Sequence, residues 1–99
     1  MKNELTTLKS VGYSNFADMY IKLNNEVNYF IYSLVKDKET ALELTQITFC
    51  KVSKNFSSFD SQKAKFKTWV YTIAKNSVID YFRTEKMRYK TLNINNYLD

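Results

Sequence analysis

Residues 37–49 read D-K-E-T-A-L-E-L-T-Q-I-T-F, and residues 66–83 read F-K-T-W-V-Y-T-I-A-K-N-S-V-I-D-Y-F-R. Neither stretch contains proline or glycine, and in both the apolar positions return every three or four residues, as on one face of a helix. Ala41, Leu44, Thr45, Thr48, Val52 and Phe56 share a face in the first, which Leu42 and Phe49 extend. Phe66, Val70, Ile73/Ala74, Ser77 and Tyr81 do the same in the second. The remaining faces differ: one is acidic and amide-bearing, the other basic and aromatic. Two such helices on one domain suggest two partners, one protein and one nucleic acid.

Upstream, Phe16, Met19/Tyr20, Leu23, Val27, Phe30/Ile31 and Leu34 form another helical stripe. Ser14 is placed to cap it, and Lys36-Asp37 ends it. The second helix is expected from about Lys38 to Asn55 with Asp37 as its cap, the third from about Lys65 to Lys90. Between them, residues 57–62 (SSFDSQ) are loop formers without a period. A short extra helix is expected near Glu4–Lys9. The expected fold is all-α, a compact three-helix or four-helix bundle over residues 1–91, with residues 92–99 the start of a linker or a disordered tail.

Composition agrees. A chain of 99 residues holds one modest core, and one glycine (Gly12) with no proline leaves little turn chemistry for hairpins. The lone Cys50 cannot form an internal disulfide, which suits a reducing compartment, and its helical spacing predicts that it fills a core gap. No apolar run is long enough to span a bilayer, so no membrane insertion is expected. Met1-Lys2 does not open a secretion signal, and a cytoplasmic protein is expected.

Charge divides unevenly. Residues 1–50 carry five lysines against six acids, whereas residues 51–90 carry ten cations against Asp60, Asp80 and Glu85. Such a basic half attracts polyanions.

Catalysis finds little support. There is no histidine to serve as a base near neutral pH, no cysteine cluster for a metal, and no glycine-rich phosphate cradle. The chain is therefore expected to be a non-enzyme without cofactor or metal.

The third helix concentrates the binding chemistry. Phe66, Trp69, Tyr71, Tyr81 and Phe82 alternate with Lys63, Lys65, Lys67, Lys75 and Arg83. Aromatic faces beside a cationic groove are what a single strand needs for stacking and phosphate neutralisation. Phe66 and Tyr81 fall on the apolar stripe and are expected in the core. Asn76 is the candidate for a base edge, because its amide pairs in two directions. On the second helix Asp37, Glu39 and Glu43 form an acidic ridge, and Gln46, flanked by Leu42 and Phe49, fits a protein-docking face.

Taken together these residues resemble the second conserved region of a bacterial RNA polymerase sigma factor of the extracytoplasmic-function type. Phe16-Ala17-Asp18-Met19-Tyr20 resembles that family's first helix, and residues 41–49 (ALELTQITF) its polymerase-binding helix. Residues 66–76 resemble its promoter-melting segment, closing with Ile79-Asp80-Tyr81-Phe82-Arg83. The string W-x-x-x-I-A-x-N-x-x-x-D-x-x-R, from Trp69 to Arg83, is its most specific part.

The resemblance implies a binding module that docks on the clamp helices of the largest subunit of core RNA polymerase. Asp37, Glu43, Leu44, Gln46 and Phe49 occupy the matching positions. It further implies that the third helix and its preceding loop engage the promoter's minus-ten element and capture a flipped base of the single-stranded non-template strand. Trp69 would hold the melted junction, Asn76 and Arg83 would contact DNA, and Asp80 would orient Arg83. An anti-sigma factor is implied as a regulatory partner. The family commonly has an acid after the glutamine, where this chain has Ile47, and more basic residues where it has Thr84-Glu85. Nothing after Asn93 could form the helix-turn-helix that reads the minus-thirty-five element, and a domain cut from a longer protein is expected. Two rival readings are a generic helical nucleic-acid-binding module and a sigma-like protein-interaction domain that ignores DNA.

Overall fold

A cap or a backbone reversal fixes each of the first helix boundaries. In the computed structural model, which describes the backbone of residues 3–98 and the side chains of residues 3–86 and Arg88, α1 spans Glu4–Ser10. The Asn3 side chain accepts the Thr6 N–H at its start. Gly12, at φ +99°, turns the chain into α2, Phe16–Val35. Its cap is Asn15 rather than Ser14: Asn15 Oδ1 accepts the Asp18 N–H, while Asp18 reaches back to accept the Ser14 N–H. That second hydrogen bond, then Lys22, holds the Asp18 carboxyl below its ordinary value. Lys36 ends α2 in the left-handed region at φ 60°, and Asp37 starts α3, Lys38–Lys54, by accepting the Thr40 N–H. A 3-10 turn over Phe56–Ser58 and an irregular link lead to α4, Phe66–Leu98.

The described residues thus form an all-helical bundle of four helices, as expected, with no strand among them. The last helix runs eight residues past the expected Lys90, so residues 92–98 are helical backbone; Asp99 lies outside the described residues. No proline or glycine stands after Phe66 to stop it, and the asparagines near the end disfavour a helix only weakly.

Three helix stripes meet at the core. Met19, Leu23, Val27 and Ile31 of α2 face Ala41, Leu44, Phe49 and Val52 of α3, and Val70, Ala74 and Val78 of α4 close the third side. Each fully buried large side chain contributes about 1.5–3 kcal/mol. Two threonines within the α3 face are also buried, and their hydroxyls donate to carbonyls one turn back, Thr45 to Ala41 and Thr48 to Leu44, both at 2.7 Å. Asn28 Nδ2 donates to Thr45 Oγ1 and ties α2 to α3.

Some residues depart from their expected faces. Leu34 and Leu42 are exposed, at the edges of their stripes, and Cys50 is exposed rather than filling the core. The irregular link is not free of the core either. Phe59 is buried, with its ring 5.4 Å from both Phe66 and Trp69, so an aromatic cluster pins the link where α4 begins.

Candidate nucleic-acid and protein interfaces

The start of α4 and the link before it build the first surface. Lys63, Lys65 and Lys75 are exposed and make no ion pair among the described residues. Lys67 is different. It turns towards α2 and pairs with Glu26 at 3.2 Å; hydrogen bonding to that carboxylate, and then its charge, raises the Lys67 pKa. Tyr71 follows one turn on, edge-on to Phe30 with ring centres 5.0 Å apart. Burial, and then the charge of Glu26, pushes its phenol above the ordinary value.

Trp69, Asn76 and Arg83 recur every seven residues and lie along another side of α4, the one beside α3. The Trp69 indole packs on Phe56, Phe59 and Phe66 at 5.4–6.0 Å and stays half-buried. Its outer edge joins Lys51, Asn55, Ser58, Ile73 and Asn76 around a surface groove of about 250 Å3. Further along, Asp80 is shared by Arg83 at 3.6 Å and Lys51 at 3.8 Å. Lys51 also donates to Ser77 Oγ at 3.2 Å. The expected DNA-binding residues are thus not one cluster. Trp69, Asn76 and Arg83 come together on the α3 side, Lys63, Lys65 and Lys75 stand outermost, and Lys67 with Tyr71 belongs to the contact with α2.

The second surface is the outward stripe of α3. Glu39, Leu42, Glu43, Gln46, Ile47 and Cys50 are exposed along it at helical spacing. Leu42 and Ile47 are 56% and 37% exposed, so the acidic and amide groups surround apolar ones. Two of the five residues placed here by resemblance lie elsewhere. Leu44 and Phe49 are buried in the core, Phe49 edge-on to Tyr20 at 4.9 Å, and they set the helix in place rather than line its surface. The Asp37 carboxylate is engaged as a cap: hydrogen bonds from the Thr40 side chain, then its backbone, hold the carboxyl below the ordinary value. Ile47 was missed as a surface group, although it stands one turn from Glu43; Leu42, expected both to extend the inner face and to flank Gln46, does the second.

Among the described residues no cluster of three potential metal ligands occurs, and no helix is long and apolar enough to cross a membrane.

This arrangement of two helices, one acidic and one basic, around a shared core has counterparts. Residues 19–88 match the family Sigma-70 region 2, and the chain belongs to that family. Within it the chain is of the extracytoplasmic-function (ECF) type, as its relatives indicate. It is 36% identical over 69 residues to the ECF RNA polymerase sigma factor SigM of Bacillus subtilis, an overlap of 70% of this chain and 41% of SigM. It is 34% identical over 73 residues to the ECF RNA polymerase sigma factor BldN of Streptomyces coelicolor, covering 74% of this chain and 28% of BldN. Against the ECF RNA polymerase sigma factor SigW of Bacillus subtilis the identity is 29% over 89 residues, covering 90% and 47%. The chain therefore spans between about a quarter and a half of the relatives it matches. No solved structure matches it.

Proposed function

We propose that this chain is the part of a transcription initiation factor that joins core RNA polymerase to the promoter and opens the minus-ten element. The α3 stripe of Leu42, Glu43, Gln46 and Ile47 docks on the clamp helices of the polymerase's largest subunit, apolar contacts at the centre and polar ones at the rim. The α4 surface then takes the non-template strand. A base leaving the stack costs a few kcal/mol, and stacking on an aromatic returns about 1–3 kcal/mol per base. The groove beside Trp69 and Asn76 supplies an aromatic edge and an amide for such a base, and Lys63, Lys65 and Lys75 neutralise the phosphates around it. Arg83, steered by Asp80, contacts the backbone beyond. The protein acts in the cytoplasm, as a binding module rather than an enzyme, and an anti-sigma factor regulates it.

The observation that carries this reading is the placement of an acidic, apolar-centred stripe and a basic, aromatic stripe on neighbouring helices of one core. Its test is binding to bacterial core RNA polymerase, wild type beside the double variant Glu43→Lys/Gln46→Ala. Tight binding by the wild type, weakened at least tenfold in a variant of unchanged helicity, supports it. Absence of binding by the folded wild type rejects the polymerase role and leaves a general nucleic-acid-binding module.

A further inference from the structure

α2 buries one face in the core and turns the opposite one to solvent. On that outer face Ile21 and Tyr29 are 74% and 75% exposed, and Tyr32 is 37% exposed. Positions 21, 25, 28/29 and 32 return at helical spacing, on the side away from the buried Met19, Leu23 and Val27. Asn25 and Asn28 fill the places between the apolar groups. Lys22 turns to Asp18 and Glu26 to Lys67, so the line carries no charge between Asp18 at its start and Lys36 just past its end. It borders a groove of about 380 Å3 between α2 and α3, lined by Tyr29, Tyr32, Lys38 and Leu42 among others.

A charge-depleted, tyrosine-bearing face is the composition of a protein contact, and a polyanion would find no cation along its middle. The ends of the line say which protein. The chain carries a net charge of +5, and self-repulsion is smallest where its surface is uncharged. Two α2 helices set antiparallel about a two-fold axis between positions 26 and 27 bring 21 opposite 32, 25 opposite 28 and 18 opposite 35. Every contact then suits its counterpart. Ile21 of one copy enters the groove of the other beside Tyr32 and Leu42. Asn28 Nδ2 already donates to Thr45, which leaves Asn28 Oδ1 to accept from Asn25 of the second copy. Asp18 comes next to Lys36 of the second copy, a lysine that makes no ion pair among the described residues. The complementary charges thus fall at both ends at once, as an isologous contact requires.

We infer that two copies of this chain pair through the outward faces of α2, antiparallel about a two-fold axis beside Asn25 and Asn28. α2 has 20 residues and is about 30 Å long, so contact along it falls short of the roughly 800 Å2 per partner of a standard interface. The pair is therefore weak and dissociates on dilution. Leu42 belongs both to this groove and to the outward stripe of α3. On the polymerase reading given above, pairing and docking then exclude each other, and the paired form is free of polymerase.

The test is sedimentation velocity of the wild-type chain at rising concentration, where the mass should move from 11.8 kDa towards twice that value. Ile21→Lys and Tyr29→Lys, both at exposed positions, should each abolish the shift with helicity unchanged. Lys36→Asp, which suits the left-handed backbone there, should weaken pairing about tenfold as two ion pairs become two repulsions. Mixing it with an equal amount of Asp18→Lys should restore a mixed pair, because each copy then meets its opposite charge at both ends. A wild type that stays monomeric up to its solubility limit overturns the inference, and this needs no variant to fold. A dimer that keeps its strength in Ile21→Lys and Tyr29→Lys also overturns it, by placing the contact elsewhere. A monomeric wild type whose Tyr29→Lys variant loses polymerase binding gives the face to polymerase and overturns it as well. Sedimentation involves no polymerase, so the pairing and the polymerase reading fail separately.

Discussion

The outward faces of α3 and α4 make an instructive pair, because the two helices serve the core in the same manner and the solvent in opposite ways. Inward, each buries small and medium side chains, Ala41, Thr45 and Thr48 on α3, Val70, Ala74 and Ser77 on α4, so the helices approach closely. Outward, α3 carries exposed Leu42 and Ile47 among Glu39, Glu43 and Gln46, whereas the face of α4 around Asn76 carries Lys75, Arg83 and Lys86. A protein partner is suited by the first, because burial of the apolar pair drives association and the polar rim selects the partner. The second suits a polyanion, where affinity comes from displaced counterions. The lesson is that fold and function are written on different faces of the same helices, so either can be altered alone.

The largest effect should come from striking the element that both faces depend on. Phe59 fixes the link between α3 and α4 by packing on Phe66 and Trp69. Phe59→Ala should cost about 3–5 kcal/mol, the range for emptying a buried aromatic site, and should lose polymerase and DNA binding together. Chemical denaturation of the variant reads this directly. A loss below about 1 kcal/mol would mean that the cluster collapses without strain or is not formed.

Next comes a contrast within one turn of α3. Leu44 is buried and Leu42 exposed, although only one residue separates them. Leu44→Ala should destabilise by about 2–5 kcal/mol, while Leu42→Ala should fall within about 0.5 kcal/mol of wild type and weaken polymerase binding instead. Equal stability losses at the two sites would erase the distinction between inner and outer faces.

Most of the inner faces could be read in the sequence, because a period near 3.6 locates a helix stripe wherever several apolar residues repeat. The stripes of α2, α3 and α4 follow from that alone. What could not be read lies at the stripe edges and in the link. Leu42 sits about a quarter turn from the centre of the buried face of α3, and Leu34 lies on the α2 stripe near its end; periodicity cannot say whether a neighbouring helix reaches either. Cys50 stands on the outward side of α3 with Glu43 and Gln46, so its expected core position misread the period. Phe59 sits in a segment without a period, where only tertiary packing decides. The cap fell on Asn15 because either it or Ser14 can accept an amide hydrogen. At the candidate site, helix spacing groups Trp69, Asn76 and Arg83, but the departure of Lys67 and Tyr71 towards Glu26 and Phe30 depends on α2, distant in sequence.

A third prediction uses that departure. Glu26 occupies Lys67, so the unpaired cationic charge at the start of α4 is one lysine smaller than the sequence suggests. Glu26→Gln should release Lys67 and tighten single-strand binding a few-fold, with the log–log salt slope steeper by up to about 0.7. Lys67→Gln in the wild-type background should then change DNA binding little. A strong loss in that variant would place Lys67 on the DNA face after all.

Acid titration separates the two roles open to Asp37. Its folded-state carboxyl is held below the ordinary value, so the unfolded chain takes up the proton more readily. The stabilising contribution is present above the unfolded value, about 3.9, and is lost as the pH falls through the folded one. Asp37→Asn keeps an acceptor for the Thr40 N–H and removes the titration. The variant should match wild type more closely at pH 3 than at pH 6 in urea midpoint. If it remains stable yet loses polymerase binding at pH 7, the charge itself serves docking.

The smallest expected effect lies where α2 hands the chain to α3. Lys36 adopts φ 60° and ψ 22°, a conformation its Cβ disfavours, and its N–H donates to the Tyr32 carbonyl at 2.9 Å, closing the last turn of α2. Glycine takes up that conformation freely and keeps the N–H. It also adds freedom to the unfolded chain, which cancels part of the gain. Lys36→Gly should therefore raise stability by about 0.5 kcal/mol, measured by thermal unfolding, with polymerase and DNA binding unaltered. A loss of stability would show that the lysine contributes more through its stem or its charge at the end of α2 than the left-handed turn costs. Because the substitution lies on the connection rather than on either outward face, any change in binding would mean that the angle between α2 and α3 participates in recognition.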